Sequence, residues 1–213
     1  MKEVGKLLFA PSARPFTIMA GAIIVLGLID RGSGYFFSLG TIFSVMQLFA
    51  TLGLVALGLG LSMLVREFDL SVAGMVGLAG CIAVMTGAAN PWLGALLGVG
   101  AGVLSGLLQG LIMTRLGLSS VGVTLGGLLT LQGITYMLTQ NQTISYPNMA
   151  VALGLNAPIA HLLSVRSAAT LAVFAVAALV MTNTHVGRDV IATGSDRRAS
   201  RIAGLNPDGV LIG

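Results

Sequence analysis

Hydrophobic positions run along this chain in long uncharged stretches broken by short polar punctuation. Six stretches approach the ~30 Å needed to cross hydrocarbon at about 1.5 Å per helical residue. They are roughly Pro15 to Ile29, Thr41 to Val65, Leu70 to Ala89, Trp92 to Met113, Val121 to Leu138 and Ser167 to Asn183. The pattern predicts an all-α, polytopic integral membrane helical bundle, a single domain over residues 1–213 with about six spans. It changes at Gly187 to Pro207, the last long polar run, where a short helix in water is predicted over Asp196 to Ala203. Ser195 is the candidate N-cap, Gly204 can take the left-handed conformation that ends a helix, and Pro207 blocks its resumption. Ala199, Ile202 and Ala203 share one face by the i, i+3, i+4 rule, and Arg197, Arg198 and Arg201 occupy the others. So short a helix is marginal alone and needs a surface to dock on. From these residues alone it also reads as a solvated interfacial loop that orients the protein.

Composition narrows the class. Of 213 residues, 55% are hydrophobic and 8% charged, against about 25% charged in soluble domains, so a water-exposed surface cannot be built from this inventory. The basic start (Lys2, Lys6, Arg14) leads into an apolar segment without a convincing cleavage site, so the first span is expected to stay as an anchor. With the N-terminus in the cytoplasm, alternation places Lys2, Lys6, Arg14, Arg66, Arg115, Arg188, Arg197, Arg198 and Arg201 inside and only Arg31 and Arg166 outside. The positive-inside rule therefore puts both ends of the chain, including Gly213, in the cytoplasm. It also accounts for the net charge of +4 without nucleic acid. One cysteine, Cys81, excludes an internal disulfide, and two isolated histidines, His161 and His185, make a metal site improbable. The only lysines are Lys2 and Lys6, so there is no Walker A lysine and any ATP hydrolysis belongs to another subunit.

Gly94, Gly98, Gly102, Gly106 and Gly110 recur at every fourth position of the fourth stretch, a ladder along which a second backbone can approach closely. Four residues turn a helix by about 400°, so the ridge winds and suits a crossed neighbour. Gly74, Gly77 and Gly80 form a shorter close-contact face on the third stretch.

The chemistry-bearing candidates are few. Asp69 and Ser71 sit between the second and third stretches, in Arg66-Glu67-Phe68-Asp69-Leu70-Ser71-Val72. Either residue could cap the third helix, or the segment could be a helix interruption lining a path. Gln109, Thr124, Thr130 and Gln132 are uncharged polar groups at membrane depth. They suit interhelical hydrogen bonds or the lining of a path for a hydroxyl-rich solute. Thr139 to Pro147 begins a polar loop, expected outside, that runs to about Arg166 and could meet a binding protein or an emerging solute.

The polar run carries a resemblance. Gly187-Arg188, Ala192-Thr193-Gly194, Ala199, Arg201 and Gly204-Leu205-Asn206 stand in the order found in the cytoplasmic coupling segment of ABC-importer permeases of the ribose and related monosaccharide type, within the branched-chain amino-acid/sugar permease family. Asp69-Leu70-Ser71-Val72 resembles that family's Gly-Gly-Ile-Asp-Leu-Ser-Val-Gly signature, with Arg66-Glu67 in place of the paired glycines and Ala73 in place of the last. Gln109-Gly110-Leu111-Ile112 and Val123-Thr124-Leu125-Gly126 resemble its next block, with Ser119-Ser120-Val121 where a proline-containing turn is usual. The resemblance implies a transport subunit of the bacterial inner membrane, not an enzyme, with no cofactor of its own. ATP and Mg are implied in separate ABC ATPase subunits that dock on Ser195, Arg197, Arg198, Ala199, Arg201, Ile202, Ala203 and Gly204 of the coupling segment, residues 187–207. A second permease subunit, identical or not, and a periplasmic solute-binding protein are the other implied partners, within membrane lipid. Asp69, Ser71, Gln109, Thr124 and Gln132 would line the translocation path. Gly209-Val210-Leu211-Ile212-Gly213 begins a further apolar run, and the resemblance covers the first part of such a permease, so the chain is expected to be the N-terminal part of one.

Two other readings fit some residues. An ion-coupled secondary transporter would use Asp69 near a broken helix to bind the coupling ion. An intramembrane enzyme would need a second group beside Asp69, and no other carboxylate lies within any of the stretches.

Overall fold

A computed structural model describes residues 13–30, 34–159 and 161–212. Lys2, Lys6, Arg31 and Gly213, which carry part of the orientation argument, lie outside the described residues. The elements are α1 (Arg14–Ile29), α2 (Leu39–Leu64), α3 (Val72–Thr86), α4 (Pro91–Leu116), α5 (Ser120–Thr139), α6 (Met149–Asn156), a two-residue strand pair β1 (Pro158–Ile159) and β2 (Leu163–Ser164), α7 (Val165–Asn183), α8 (His185–Ser195), α9 (Arg197–Ile202) and α10 (Pro207–Ile212). The strands pair antiparallel, Pro158 opposite Ser164 and Ile159 opposite Leu163. The protein is all-α and polytopic in build: α2, α4, α5 and α7 are each long and apolar enough to cross a membrane, and α1 and α3 are shorter apolar helices.

Local chemistry sets the boundaries. Ser38, Ser119 and Ser164 cap α2, α5 and α7 through their hydroxyls. Asn90 Oδ1 accepts from the amides of Trp92 and Leu93, and Pro91 supplies a first helical position where no amide is needed. α4 stops at Gly117, in the left-handed region at φ +62°.

Two packing groups result. α3 packs against α4 and α5, while α2 packs along α7. In the second group Phe49 and Phe174 meet with ring centroids 5.2 Å apart, and the buried Thr170 hydroxyl donates to the Ala50 carbonyl at 3.4 Å. Most large apolar side chains on the long helices remain exposed, as a lipid-facing surface requires. The ends of the helices sort by side. Tyr146 donates to the Gly87 carbonyl at 2.8 Å, and Arg166 reaches Thr51 at 2.7 Å and Asn156 at 2.9 Å, at one end. At the other, the turn after α2 meets the start of α5 through Phe68 N–H to Ser120 Oγ, α8 lies against α2, and Arg197 of α9 reaches the Val65 carbonyl just past its end. Arg66, Arg188, Arg197, Arg198 and Arg201 gather at this second end, with Arg166 at the first.

The glycine ladder is used in pieces rather than as one ridge. A Cβ at Gly98 would sit 2.8 Å from the Ala79 carbonyl oxygen and 3.1 Å from the Ala83 Cβ, and Gly94 abuts the Gly87 backbone. Gly102 has only Met75 at 4.0 Å, and around Gly106 nothing lies within 4 Å. Gly110 packs again, but on α10, where a Cβ would lie 3.0 Å from the Ile212 Cα. The winding explains this: by Gly106 the ridge has rotated off α3. The shorter face of α3 is corrected in the same way. Gly74 lies under the Leu128 carbonyl and Leu131 of α5, whereas Gly77 and Gly80 are exposed with nothing within 4 Å.

Candidate functional site

The seven residues between α2 and α3 form a genuine helix break. Arg66 stands in the left-handed region at φ +61°, unusual for a residue with a Cβ. The break ends where Asp69 Oδ1 accepts from both the backbone N–H of Ser71 at 2.8 Å and its hydroxyl at 2.7 Å. Asp69 is thus the side chain that starts α3, and Ser71, fully buried, makes no cap bond of its own. The Phe68 carbonyl accepts from the buried Thr124 hydroxyl at 3.2 Å, tying the break to α5.

Beside the break lies a cavity of about 820 Å³ between α2, α4, α5, α7, α8 and α10. Asp69, Gln109 and Thr124 line it together, with Glu67, Asp189 and Asn206 as further polar groups. Ser71 is sealed away from it, and Gln132, two turns beyond Thr124 along α5, is not among its lining residues. Gln109 donates from Nε2 to the Ser105 carbonyl at 3.3 Å, but its buried Oε1 has no partner. A side chain at Gly127 would collide with that carboxamide, so the glycine is what leaves room for it. A buried acceptor without a donor carries a desolvation penalty of about 1–3 kcal/mol. Glu67, Asp189 and Asn206 were missed by sequence reasoning. For Asp189 one signal is present, the i, i+4, i+7 spacing of Val186, Val190 and Thr193 along an amphipathic helix.

The polar run holds two helices, not one. Gly187 and Gly194, both buried in α8, explain why the segment has glycine there: a Cβ would strike the Met181 backbone in the first case and the Leu64 carbonyl oxygen in the second. α8 can therefore lie directly on the end of α2. The cap of α9 is Asp196, whose Oδ1 accepts from the amides of Arg198 at 2.8 Å and Ala199 at 3.0 Å. Ser195 instead closes α8 and donates to the Ile191 carbonyl. The predicted cap was one residue early, because α8 runs up to Ser195 and leaves Asp196 as the first extended residue. At the other end Gly204, at φ +87°, completes a Schellman motif: its N–H donates to the Arg201 carbonyl and that of Leu205 to the Ser200 carbonyl. Pro207 does not prevent a helix but opens one, as the first residue of α10.

α9 is held from within the chain. Ser200 is buried beneath it, Arg197 pairs with Glu67 and also donates to the Val65 carbonyl, and Arg201 pairs with Asp208 through both carboxylate oxygens at 3.1 and 3.2 Å. Two of the three arginines offered for a partner are thus engaged internally. Ala199, Ile202 and Ala203 face outward, with Ile202 83% exposed beside Arg198.

Residues 41–212 match the family described as branched-chain amino acid transport system / permease component. The chain is 31% identical over 193 residues to the autoinducer 2 import system permease protein LsrC of Yersinia pseudotuberculosis serotype O:3 (strain YPIII), covering 88% of this chain and 53% of the relative. It is 29% identical over 217 residues to the fructose import permease protein FrcC of Rhizobium meliloti, covering 95% and 59%. LsrC of Photorhabdus luminescens is 28% identical over 207 residues, covering 93% and 60%. This chain thus spans a little over half the length of these relatives. No solved structure gives a significant match. A multi-pass membrane build and a family match across four-fifths of the sequence lead to one assignment: the chain belongs to the branched-chain amino acid transport system permease family.

Proposed function

We propose that this chain is a membrane-spanning subunit of an ATP-binding-cassette importer for a monosaccharide or a similar small polar solute, in the bacterial inner membrane with the N-terminus inside. The observation that carries the reading is α9: a short helix clamped at its cap, its C-terminus and its buried face, yet presenting Ala199, Ile202 and Ala203 to the outside. An 83% exposed isoleucine on a rigidly held helix is a contact looking for a surface. A groove on a separate ATPase subunit, which would bind the ATP and Mg, is that surface. A second permease subunit and a solute-binding protein complete the assembly. The family membership and the import permeases among the relatives support this. They do not support the ion-coupled alternative.

In this reading the cavity holds the solute near the cytoplasmic exit. The carboxylates of Asp69 and Asp189 accept from its hydroxyls, with Gln109 beside them in the wall. Movement of the docked α9 on ATP binding would shift α8 and the end of α2, and so switch the side to which the path opens. The test is uptake of radiolabelled neutral monosaccharides, fructose first, by cells carrying the assembled transporter. Uptake should persist under an uncoupler while ATP stays high, and should require the ATPase subunit. Loss under the uncoupler at high ATP would overturn the reading in favour of ion coupling.

A further inference from the structure

The helix break between α2 and α3 touches two things at once. Its Phe68 carbonyl and Asp69 carboxylate belong to the cavity side, where Thr124 donates to the former and Asp69 lines the space itself. Its Glu67 side chain also borders the cavity, and its carboxylate pairs with Arg197, the first residue of α9, which donates also to the carbonyl of Val65. Glu67 is mostly shielded, its side chain 18% exposed, and Arg197 is half-exposed at 45%. Arg66 next to it holds a left-handed conformation at φ +61°, a strained choice for arginine that glycine would avoid. The turn is therefore not built for slackness. It is fixed to α9 at one residue and to the cavity wall at the next two.

We infer that Glu67 and Arg197 are positioning residues for transport: their ion pair ties α9 to the break, so that displacement of α9 moves Phe68 and Asp69 at the cavity rather than being absorbed by the hinge between α8 and α9. The inference rests on the reading that α9 docks on the ATPase subunit. Neither residue lies on the outward Ala199, Ile202 and Ala203 face, so breaking the pair leaves that face in place, and Arg197, which is not among the residues lining the cavity, reports transmission apart from any contact of Glu67 with the solute. A partly exposed charged pair gives about a fivefold effect, which is about 1 kcal/mol at 1.4 kcal/mol per tenfold.

The experiment uses the assembled transporter in proteoliposomes, with solute uptake and ATP hydrolysis measured together, for wild type, Glu67→Gln, Arg197→Gln and the charge-swapped Glu67→Arg/Arg197→Glu double variant. Each single variant should retain the ATPase subunit at the wild-type level yet move about fivefold less solute per ATP, and the swapped pair should recover most of that loss. A structural role alone would lower assembly and hydrolysis together without changing their ratio to uptake. Single variants with the wild-type ratio, or a swapped pair as uncoupled as either single, would overturn the inference. Failure of the wild type to retain the ATPase would instead strike the docking reading on which it rests.

Discussion

The same substitution at two rungs of the α4 glycine ladder should have opposite effects. At Gly98 a methyl would stand 2.8 Å from the Ala79 carbonyl oxygen and 3.1 Å from the Ala83 Cβ, both on the packed face of α3. Ordinary carbon contacts lie near 3.5–4.0 Å, so the helices must part by roughly half an ångström. A gap of that size forfeits a quarter or more of each contact along the interface. Overpacking of this kind costs about 1–3 kcal/mol, offset by the 0.5–1 kcal/mol that alanine gains over glycine in a helix. Gly98→Ala is thus expected to be destabilised by about 1–2 kcal/mol. At Gly106 nothing lies within 4 Å, so only the helix gain operates and Gly106→Ala should match or exceed wild type by up to about 1 kcal/mol. Reversible unfolding in mixed micelles, followed by helical circular dichroism, measures both. Equal shifts in the two variants, or a Gly98→Ala protein as stable as wild type, would refute the account of how α3 and α4 meet.

Other outcomes follow from the site geometry. Asp196→Ala should raise hydrogen exchange at the Arg198 and Ala199 amides by about fivefold, the loss of a cap worth about 1 kcal/mol, while Ser195→Ala should leave them unchanged because its hydroxyl bonds back to Ile191. Gly127→Ala should push the Gln109 carboxamide from its place and weaken solute uptake, as Gln109→Leu would; stability readouts alone should respond less, since the displaced Oε1 had no partner.

The six long stretches were legible because lipid demands uncharged length, and each coincides with a helix, though α3 is shorter than the stretch Leu70 to Ala89. Glycine spacing told where close approach was possible but not with which neighbour. Gly94 and Gly98 meet α3 while Gly110 meets α10, and only the crossing angle decides that. The end of α9 was legible in Gly204, whose left-handed φ a side chain resists, but its start was not, because Ser195 and Asp196 are equally good caps and the choice depends on how far α8 extends. α8 itself was hidden by its polarity, and with it the approach of Asp189 to the cavity. Gln109, Thr124 and Asp69 could be singled out as polar groups at depth, but nothing local said that they converge while Gln132 does not. Likewise the pairing of Glu67 with Arg197 joins residues far apart in the chain, which periodicity cannot see.

The central claim is that the outward face of α9 seats an ATPase subunit. The direct measurement is co-purification of that subunit with this chain, comparing wild type with Ala203→Arg, which sets a charge on the apolar face without touching the Asp196 cap or the Glu67–Arg197 pair. Retention by wild type and at least tenfold less by a correctly inserted Ala203→Arg variant is the predicted result, the order of effect for about 1.4 kcal/mol or more lost at an interface. Equal retention by both, or none by a properly inserted wild-type protein, would contradict it.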